Sequence, residues 1–176
     1  MANYILNFRK WFLEETNMIV TSSTALILLY SRSVGVFYFA AGATACAFSS
    51  KLVKRLIRQP RPKHPSAKQK SYGMPSTHSA TITHYAVYIP LACLYLPIHP
   101  SFPNSELTRK IPLLVVPYAI EIVRSRIWLG HHTWQQCLAG VLYGTIFALG
   151  WFKLWVGGLN VYGQAVEQQL RRLIIG

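Results

Sequence analysis

The chain contains no aspartate and only five glutamates among its 176 residues, whereas lysine and arginine together number 18. Because Mg²⁺ and Mn²⁺ are held mainly by carboxylates, this scarcity argues against a metal site built from paired acids. Cysteine is scarce as well, and none of the three forms a CxxC pair (Cys46, Cys93 and Cys137). They are interpreted as buried thiols rather than as zinc ligands or disulfides. We predict neither a metal nor any other cofactor.

Charged residues of both signs make up only 13% of the chain, compared with roughly 25% in soluble domains. Hydrophobic residues make up 52%. The formal net charge of +13 would suit a nucleic-acid-binding protein, but the basic residues lie beside apolar runs of membrane length. The composition therefore predicts an all-α integral membrane protein, with a single domain over residues 1–176 and no nucleic-acid partner.

A helix needs about 20 mostly apolar residues to cross the hydrocarbon core of a bilayer. Five apolar runs are candidates: 18–30, 34–53, 79–96, 111–123, which continues as helix towards Leu129, and 134–156. The first run is short and is followed by Arg32, so we predict a bundle of four or five transmembrane helices. Residues 1–17 are predicted to form an interfacial segment, 98–110 a polar loop and 157–176 an amphipathic tail.

The segment 51–78 holds eight of the 18 basic residues and no acidic residue. Its first part can extend the preceding apolar helix until Pro60 and Pro62 end it, because proline lacks an N–H and disfavours a helical residue ahead of it. At its other end, residues 75–78 read Pro-Ser-Thr-His at the start of the next helix. Cations beside a helix N-terminus predict an anion site; the alternative is a basic loop that contacts anionic lipid.

Two predicted spans separate this basic segment from residues 124–133, so both lie at the same membrane face, whether or not 18–30 crosses. Phosphoryl transfer needs fixed cations on the non-bridging oxygens, and two histidines can supply the nucleophile and the general acid. The side chains that can converge at this face are cationic, hydroxyl or imidazole groups: Lys54, Arg61, Ser76, His78, Arg126, His131 and His132.

Three motifs, in this order, resemble those of the type-2 phosphatidic acid phosphatase and vanadium haloperoxidase superfamily. They are Lys54-x6-Arg61-Pro62, Pro75-Ser76-Thr77-His78 and Ser125-Arg126-x5-His132, which together cover residues 54–136. The resemblance implies a hydrolase in which His132 is the nucleophile that forms a phosphohistidine and His78 is the general acid. It also implies that the substrate phosphate is bound by Lys54, Arg61, Ser76, Thr77 and Arg126.

Two positions depart from the family pattern. Thr77 stands where the family usually has glycine, and Gln136 stands where it usually has an aspartate that orients the nucleophile. A neutral hydrogen bond is worth about 0.5–1.5 kcal/mol, compared with about 1.5–3 kcal/mol for one to a charged group, so we expect His132 to be a weakened nucleophile. A lipid diphosphate suits such a site, because its leaving phosphomonoester has a second pKa of about 6, whereas a lipid monophosphate must release an alkoxide that is about as basic as hydroxide.

Residues 72–78 and 125–136 are similar to the dolichyl diphosphate phosphatase branch, where glutamine at this position is familiar, and also to plastid-type lipid phosphate phosphatases. The resemblance implies hydrolysis of a polyprenyl (dolichyl-like) diphosphate to the monophosphate and inorganic phosphate in the endoplasmic reticulum membrane. One alternative is a phosphatase of phosphatidic acid or another lipid monophosphate. Another is a catalytically silent lipid-phosphate-binding membrane protein.

Three further residues have competing interpretations. His131 is interpreted either as structural or as a residue that supports the site from behind its ligand-contacting groups, since a side chain adjacent to His132 points elsewhere on a helix or strand. His84 is interpreted as a hydrogen-bonded packing residue, because its spacing from His78 puts it on another helix face. Glu121 lies within a predicted span and is either a functional group or a local partner of Arg124.

Overall fold

The structure, a computed structural model, describes residues 2–62, 71–102 and 104–175. Lys63, His64, Lys68 and Lys70 of the basic segment lie outside these residues. All regular elements in the described ranges are helical, which confirms the all-α prediction for this part of the chain. They are α1 (Ala2–Glu14), α2 (Thr16–Ser31), α3 (Val34–Ile57), α4 (Thr77–Tyr95), α5 (Ser105–Lys110), α6 (Pro112–Trp128), α7 (Trp134–Leu154), a π-helical turn (Trp155–Leu159) and α8 (Asn160–Ile175).

Two stretches of the described chain are helical, long and apolar enough to cross a membrane: α3, and Trp134–Leu170, which contains α7. At 1.5 Å per residue, the 24 residues of α3 extend about 36 Å and the 21 residues of α7 about 32 Å, so each exceeds a hydrocarbon core of about 30 Å. The 16, 19 and 17 residues of α2, α4 and α6 fall slightly short of it. Four or five crossings therefore stays a prediction.

The outer surface of the bundle is apolar. Leu26 of α2, Leu113 of α6 and Ile146 of α7 are 67%, 72% and 71% exposed. Exposed apolar surface costs about 25 cal/mol per Å² in water, whereas lipid tails solvate it without that cost. This surface supports association with a membrane.

Helix α4 lies at the centre of the bundle and packs on α3, α6 and α7. It runs parallel to α7, whose Gly140 and Gly144 face it. A Cβ at Gly140 would lie 2.6 Å from the carbonyl oxygen of Ser76, and one at Gly144 would overlap the carbonyl of Ala80. Small residues four apart allow two membrane helices to approach closely. The two glycines therefore bring the N-termini of α4 and α7 side by side.

Helix α3 ends where Pro60 and Pro62 predict that it should. The helix ends at Ile57, and Arg58 follows in a left-handed conformation with φ 54°. Its N–H donates to the carbonyl of Lys54 at 3.0 Å. Pro60 comes directly after Gln59, so the chain leaves the helix shortly before the proline, as predicted.

The prediction of a loop over all of 98–110 was wrong, because α5 occupies its second half. The side chain of Asn104 accepts a hydrogen bond from the N–H of Leu107 at 2.9 Å. Glu106 lies in the first turn and Arg109 in the last, which suits the helix dipole. The sequence therefore already contained a helix signal here: an asparagine N-cap, then an acidic residue in the first turn and a basic residue in the last.

Helix α1 is attached to α6 by a long-range ion pair. Glu121 pairs closely with Arg9. It is farther from Arg124, with 4.0 Å between Oε2 of Glu121 and Nη1 of Arg124. Leu13 is buried in a cluster that includes Ile122. The local pair proposed for Glu121 is therefore present, but its closer partner is on α1, 112 residues away in sequence.

At the opposite end of the bundle, α8 folds back onto α3. Glu167 accepts a hydrogen bond from the N–H of Val34 at 3.0 Å and lies 2.8 Å from Nε2 of His99. Nearby, the hydroxyl of Ser101 donates to the carbonyl of Ser31 at 3.0 Å. A carboxylate at the start of α3 also suits the dipole of that helix.

Candidate active site

Three segments meet at one end of the bundle: the end of α3, the start of α4 and the turn before α7. The N–H of Ser76 donates to the carbonyl of Gln136 at 3.0 Å, and the N–H of Gly73 to the carbonyl of Gln59 at 2.7 Å. In the turn before α7, the N–H of His132 donates to the carbonyl of Arg126 at 3.0 Å. The structure thus brings the three sequence motifs together.

Gln136 connects His132 to the segment that follows α3. Its Oε1 lies 3.1 Å from Nδ1 of His132 and accepts from the N–H of Thr133 at 3.2 Å. Its Nε2 donates to the carbonyl of Pro60 at 2.8 Å and to Oε1 of Gln59 at 3.1 Å. All four positions around this buried amide are therefore satisfied.

These contacts determine the tautomer of His132. The N–H of Thr133 can only donate and the carbonyl of Pro60 can only accept, so the amide of Gln136 has one possible orientation. Its oxygen faces Nδ1 of His132, which must carry the hydrogen. The lone pair of the neutral ring then lies on Nε2, which is available as a nucleophile.

Two cations at the site have no acidic partner among the residues that the structure describes. Lys54 is only 5% exposed, and Arg61 is partly buried. Arg61 donates from Nη2 to the hydroxyl of Ser71 at 2.9 Å and from Nε to the carbonyl of Tyr72 at 3.4 Å. No carboxylate in residues 2–62, 71–102 and 104–175 pairs with either cation. Such uncompensated positive charge favours the binding of an anion.

Burial and these cations keep His132 neutral. Its pKa is lowered to about 3, mainly because burial disfavours the imidazolium, and further by the charges of Arg61 and Lys54. The hydrogen bond to Gln136 acts in the opposite direction. Burial also lowers the pKa of the Arg61 guanidinium. At neutral pH the lone pair on Nε2 of His132 is therefore free.

Ser76 and Thr77 occupy different environments. Ser76 is fully buried, and its Oγ accepts from the N–H and the hydroxyl of Ser79 at 3.4 and 3.0 Å, so it caps α4. Thr77 instead lines a cavity of about 800 Å³. Its hydroxyl is buried and has no partner among the described residues. The same cavity is lined by three other predicted site residues, Lys54, Arg61 and His78.

Arg126 is 3% exposed and uses several of its donors within the protein. Its Nη2 donates to the carbonyl of Leu13, and both Nη2 and Nε contact the hydroxyl of Ser125 at 3.1 and 3.2 Å. These bonds join α6 to the end of α1. The charge of Arg126 still acts on His78. The structure therefore adds a packing role that the sequence motif did not predict.

His78 lies in the first turn of α4, within electrostatic reach of Lys54, Arg61, Arg126 and His131. His132 is in turn influenced by His78. The two predicted catalytic histidines therefore lie at the same end of the bundle. His131 also lies beside the site rather than remote from it.

His84 is fully buried further along α4, against the rings of Phe39 and Tyr88 at 5.6 and 5.5 Å between centroids. The backbone of Phe39 faces it, but neither ring nitrogen makes a hydrogen bond of normal geometry within the described residues. Its position agrees with a packing role, whereas the expected hydrogen bond is absent.

Sequence reasoning missed the contact of Gln136 with Gln59 and Pro60. A partial signal was present, since Thr133-x-x-Gln136 is a capping box, and the structure contains both of its hydrogen bonds. That motif places Gln136 at the start of α7, one turn after His132. The link back to Pro60 depends on packing between distant segments and has no sequence pattern.

Curated lipid phosphatases are similar to this chain in sequence. Dolichyldiphosphatase 1 of Homo sapiens is 29% identical over 148 residues, which cover 80% of this chain and 61% of that protein. Dolichyldiphosphatase 1 of Rhinolophus ferrumequinum gives the same identity and coverage. Lipid phosphate phosphatase gamma of Arabidopsis thaliana is 28% identical over 137 residues, which cover 76% of this chain and 58% of that protein. The chain thus spans about three fifths of the length of these curated relatives.

No solved structure matches the chain at comparable significance. The sequence model of the PAP2 superfamily matches residues 33–157, which is more than half of the chain and includes all eight predicted site residues. The chain therefore belongs to the PAP2 superfamily.

Proposed function

We propose that this chain is a metal-independent lipid phosphatase that hydrolyses a polyprenyl (dolichyl-like) diphosphate to the monophosphate and inorganic phosphate. The observation that carries the proposal is the environment of His132, whose Nε2 is free while the charges of Lys54 and Arg61 act on the ring. The cavity beside these cations continues between apolar helices. A phosphate group and its lipid chain can therefore be bound together. The names of the mammalian relatives favour the dolichyl type of substrate.

In this proposal, Nε2 of His132 attacks the terminal phosphorus, and the bond from that phosphorus to the bridging oxygen breaks. The electron pair leaves with the lipid monophosphate, to which His78 donates a proton. Burial and the nearby cations lower the pKa of His78 to about 3, so in this proposal His78 takes up that proton together with the anionic substrate. Water then attacks the phosphohistidine, His78 accepts the proton from water, and the electron pair of the P–N bond returns to Nε2. Lys54, Arg61 and Thr77 stabilise the oxygens of the transferred group.

Ser76 and Arg126 act less directly in this proposal. Ser76 caps α4 and so holds the first turn of that helix, with His78, at the phosphate. Arg126 contributes its charge, while its bonds to Leu13 and Ser125 keep it in place. Gln136 positions His132 as a neutral partner. Such a partner is sufficient when the leaving group departs readily, which favours a diphosphate.

The proposal is tested with purified protein in EDTA buffer. The parent chain is expected to release phosphate from a polyprenyl diphosphate, and His132→Ala to release none. Gln135→Ala, at an exposed neighbour on α7, is the matched control and should retain activity. Equal release by parent and His132→Ala would rule out the proposed nucleophile.

The second candidate is hydrolysis of phosphatidic acid or another lipid monophosphate, which the name of the Arabidopsis relative favours. Faster release from the monophosphate than from the diphosphate would select it. A catalytically silent lipid-phosphate binder is the third candidate, motivated by the missing aspartate. Trapping labelled phosphate on His132 distinguishes it, because a binder forms no such adduct.

We further propose that the protein crosses the membrane four or five times and resides in the endoplasmic reticulum. The apolar outer surface supports the first part, and the dolichyldiphosphatase relatives support the second. Accessibility of single cysteines placed in each connection checks the crossings. Microscopy of a tagged chain with a reticulum marker checks the compartment.

A further inference from the structure

The cavity at the candidate site extends far from the two histidines. Along α3 its lining residues recur at spacings of three, four and seven, which places them on one helix face. They are four small side chains followed by three cations: Ala40, Ala43, Thr44, Ala47, Lys51, Lys54 and Arg55. At 1.5 Å per residue this stripe is about 21 Å long from Ala40 to Lys54, more than half of a hydrocarbon core of about 30 Å. The cavity therefore runs from the phosphate site past the middle of α3.

A second cavity, of about 400 Å³, lies between α2, α3, α4 and α6, towards the other end of the bundle. Its walls are mainly apolar and aromatic, with side chains such as Phe39, Ile89 and Val115. The two cavities share two lining residues, Thr24 and Tyr85. They are therefore adjacent, and these residues stand between them.

Thr24 and Tyr85 close the passage with a hydrogen bond. The hydroxyl of Thr24 donates to the carbonyl of Val20 at 2.7 Å, which leaves its oxygen to accept from the hydroxyl of Tyr85 at 2.9 Å. The ring of Tyr85 packs edge-on against Phe39 at 4.8 Å between centroids. One neutral hydrogen bond is a modest restraint, so a rotation of Tyr85 would connect the cavities.

We propose that the Thr24–Tyr85 pair is an openable partition, and that the second cavity binds the distal part of a long polyprenyl tail. This inference rests on the proposed function. A lipid tail is proposed as the ligand of the second cavity because the two cavities are adjacent. The first cavity begins at the cations that would bind the diphosphate. A tail longer than this cavity must either leave the bundle or pass Tyr85. The apolar walls of the second cavity favour the latter. The partition thus makes affinity depend on tail length.

The first test compares undecaprenyl diphosphate with the short farnesyl diphosphate. Tyr85→Phe removes only the hydroxyl, so opening no longer breaks a hydrogen bond. The ratio of KM for the long lipid to KM for the short lipid is expected to fall about two- to twelve-fold, as for one neutral hydrogen bond. An unchanged ratio overturns the partition.

A second variant fills the proposed tail site. Ala92→Phe places a ring in the second cavity and is expected to raise the same KM ratio at least several-fold. Ala165→Phe makes the same change at an exposed position of α8 and should leave the ratio unchanged. Equal ratios in the two variants would show that the second cavity holds no tail.

The inactive His132→Ala variant provides a readout that does not depend on turnover. A long polyprenyl diphosphate with a photoreactive group at its tail end should crosslink to residues 88–92, and should do so more strongly in Tyr85→Phe. Crosslinks confined to the outer surface would contradict the inference. If the parent chain hydrolyses neither lipid, the proposed function fails; if it hydrolyses both and the KM ratios and crosslinks do not change, only the tail site fails.

Discussion

The two ends of the bundle differ in whether the charged side chains named below have a partner. At the end with α8, Glu167 is close to both His99 and the N–H of Val34. At the other end, buried Lys54 has no acidic partner among the described residues, and the hydroxyl of Thr77 has no hydrogen bond there. Burying an uncompensated charge costs free energy. The charges at the end with α8 therefore stabilise the fold. At the end with Lys54 the positive charge has no partner until an anion binds.

The largest effect is expected for Lys54→Met, which removes the unpaired buried charge at the site end. Loss of one positive donor to the transferred phosphoryl group should reduce phosphate release by about 10²–10³-fold. The same change should raise the thermal unfolding temperature, because it removes a buried charge without a partner. Both are measured on purified protein in detergent, with the exposed Lys153→Met as control. A drop in both activity and unfolding temperature would show that Lys54 also supports the fold.

Gly140→Ala tests whether the site end depends on close packing of α4 and α7. The added Cβ would lie 2.6 Å from the carbonyl oxygen of Ser76, so the helices must separate, at a cost of about 1–3 kcal/mol in unfolding free energy. Phosphate release should fall as well. Gly150→Ala is the matched control, because a Cβ there meets no atom within 4 Å. Similar unfolding temperatures for the two variants would contradict the packing argument.

The pKa of His132 predicts how stability depends on pH. The folded pKa of about 3 lies below the unfolded value of about 6.5. Between these two pH values His132 therefore binds a proton in the unfolded chain but stays neutral in the folded protein. Above pH 6.5 protonation of His132 does not lower the free energy of unfolding. As the pH drops from 6.5 towards 3, this free energy falls by at most about 1.4 kcal/mol per pH unit. His132→Gln should show a shallower decline of unfolding temperature between pH 6.5 and 4.5. Parallel curves would mean that His132 already binds a proton in the folded state.

Glu167→Gln tests the opposite end. It keeps an acceptor for the N–H of Val34 but removes the negative charge beside His99, so we expect a loss of about 1 kcal/mol in unfolding free energy. Phosphate release should not change. Glu106→Gln, at an exposed carboxylate of α5, should cost less. A large loss of activity in Glu167→Gln would mean that the two ends are coupled.

The meeting of the three motifs could be predicted from the sequence, whereas the contacts that hold them in place could not. Lys54, His78 and His132 were placed together because two apolar runs of membrane length return the chain to the same face. The start of α3 followed from the apolar run after Arg32, and its end from Pro60. The bond from Arg126 to Leu13 and the pair of Arg9 with Glu121 depend on how distant helices pack. Periodicity and local motifs carry no information about such contacts.

Gln136 belongs both to a local sequence motif and to a long-range contact, and its replacement by aspartate is predicted to change the substrate preference by a small factor. The shorter carboxylate loses both donors to Pro60 and Gln59, so activity on both substrate classes should fall. It also offers His132 a charged partner, worth about 1 kcal/mol more than a neutral one, or roughly five-fold in rate. That gain matters most for the poorer leaving group. We expect the ratio of lipid monophosphate to lipid diphosphate turnover to rise about five-fold in Gln136→Asp but not in Gln136→Asn, which shortens the side chain without adding charge. Equal ratios in the two variants would mean that the length of Gln136, rather than its neutrality, sets the substrate preference.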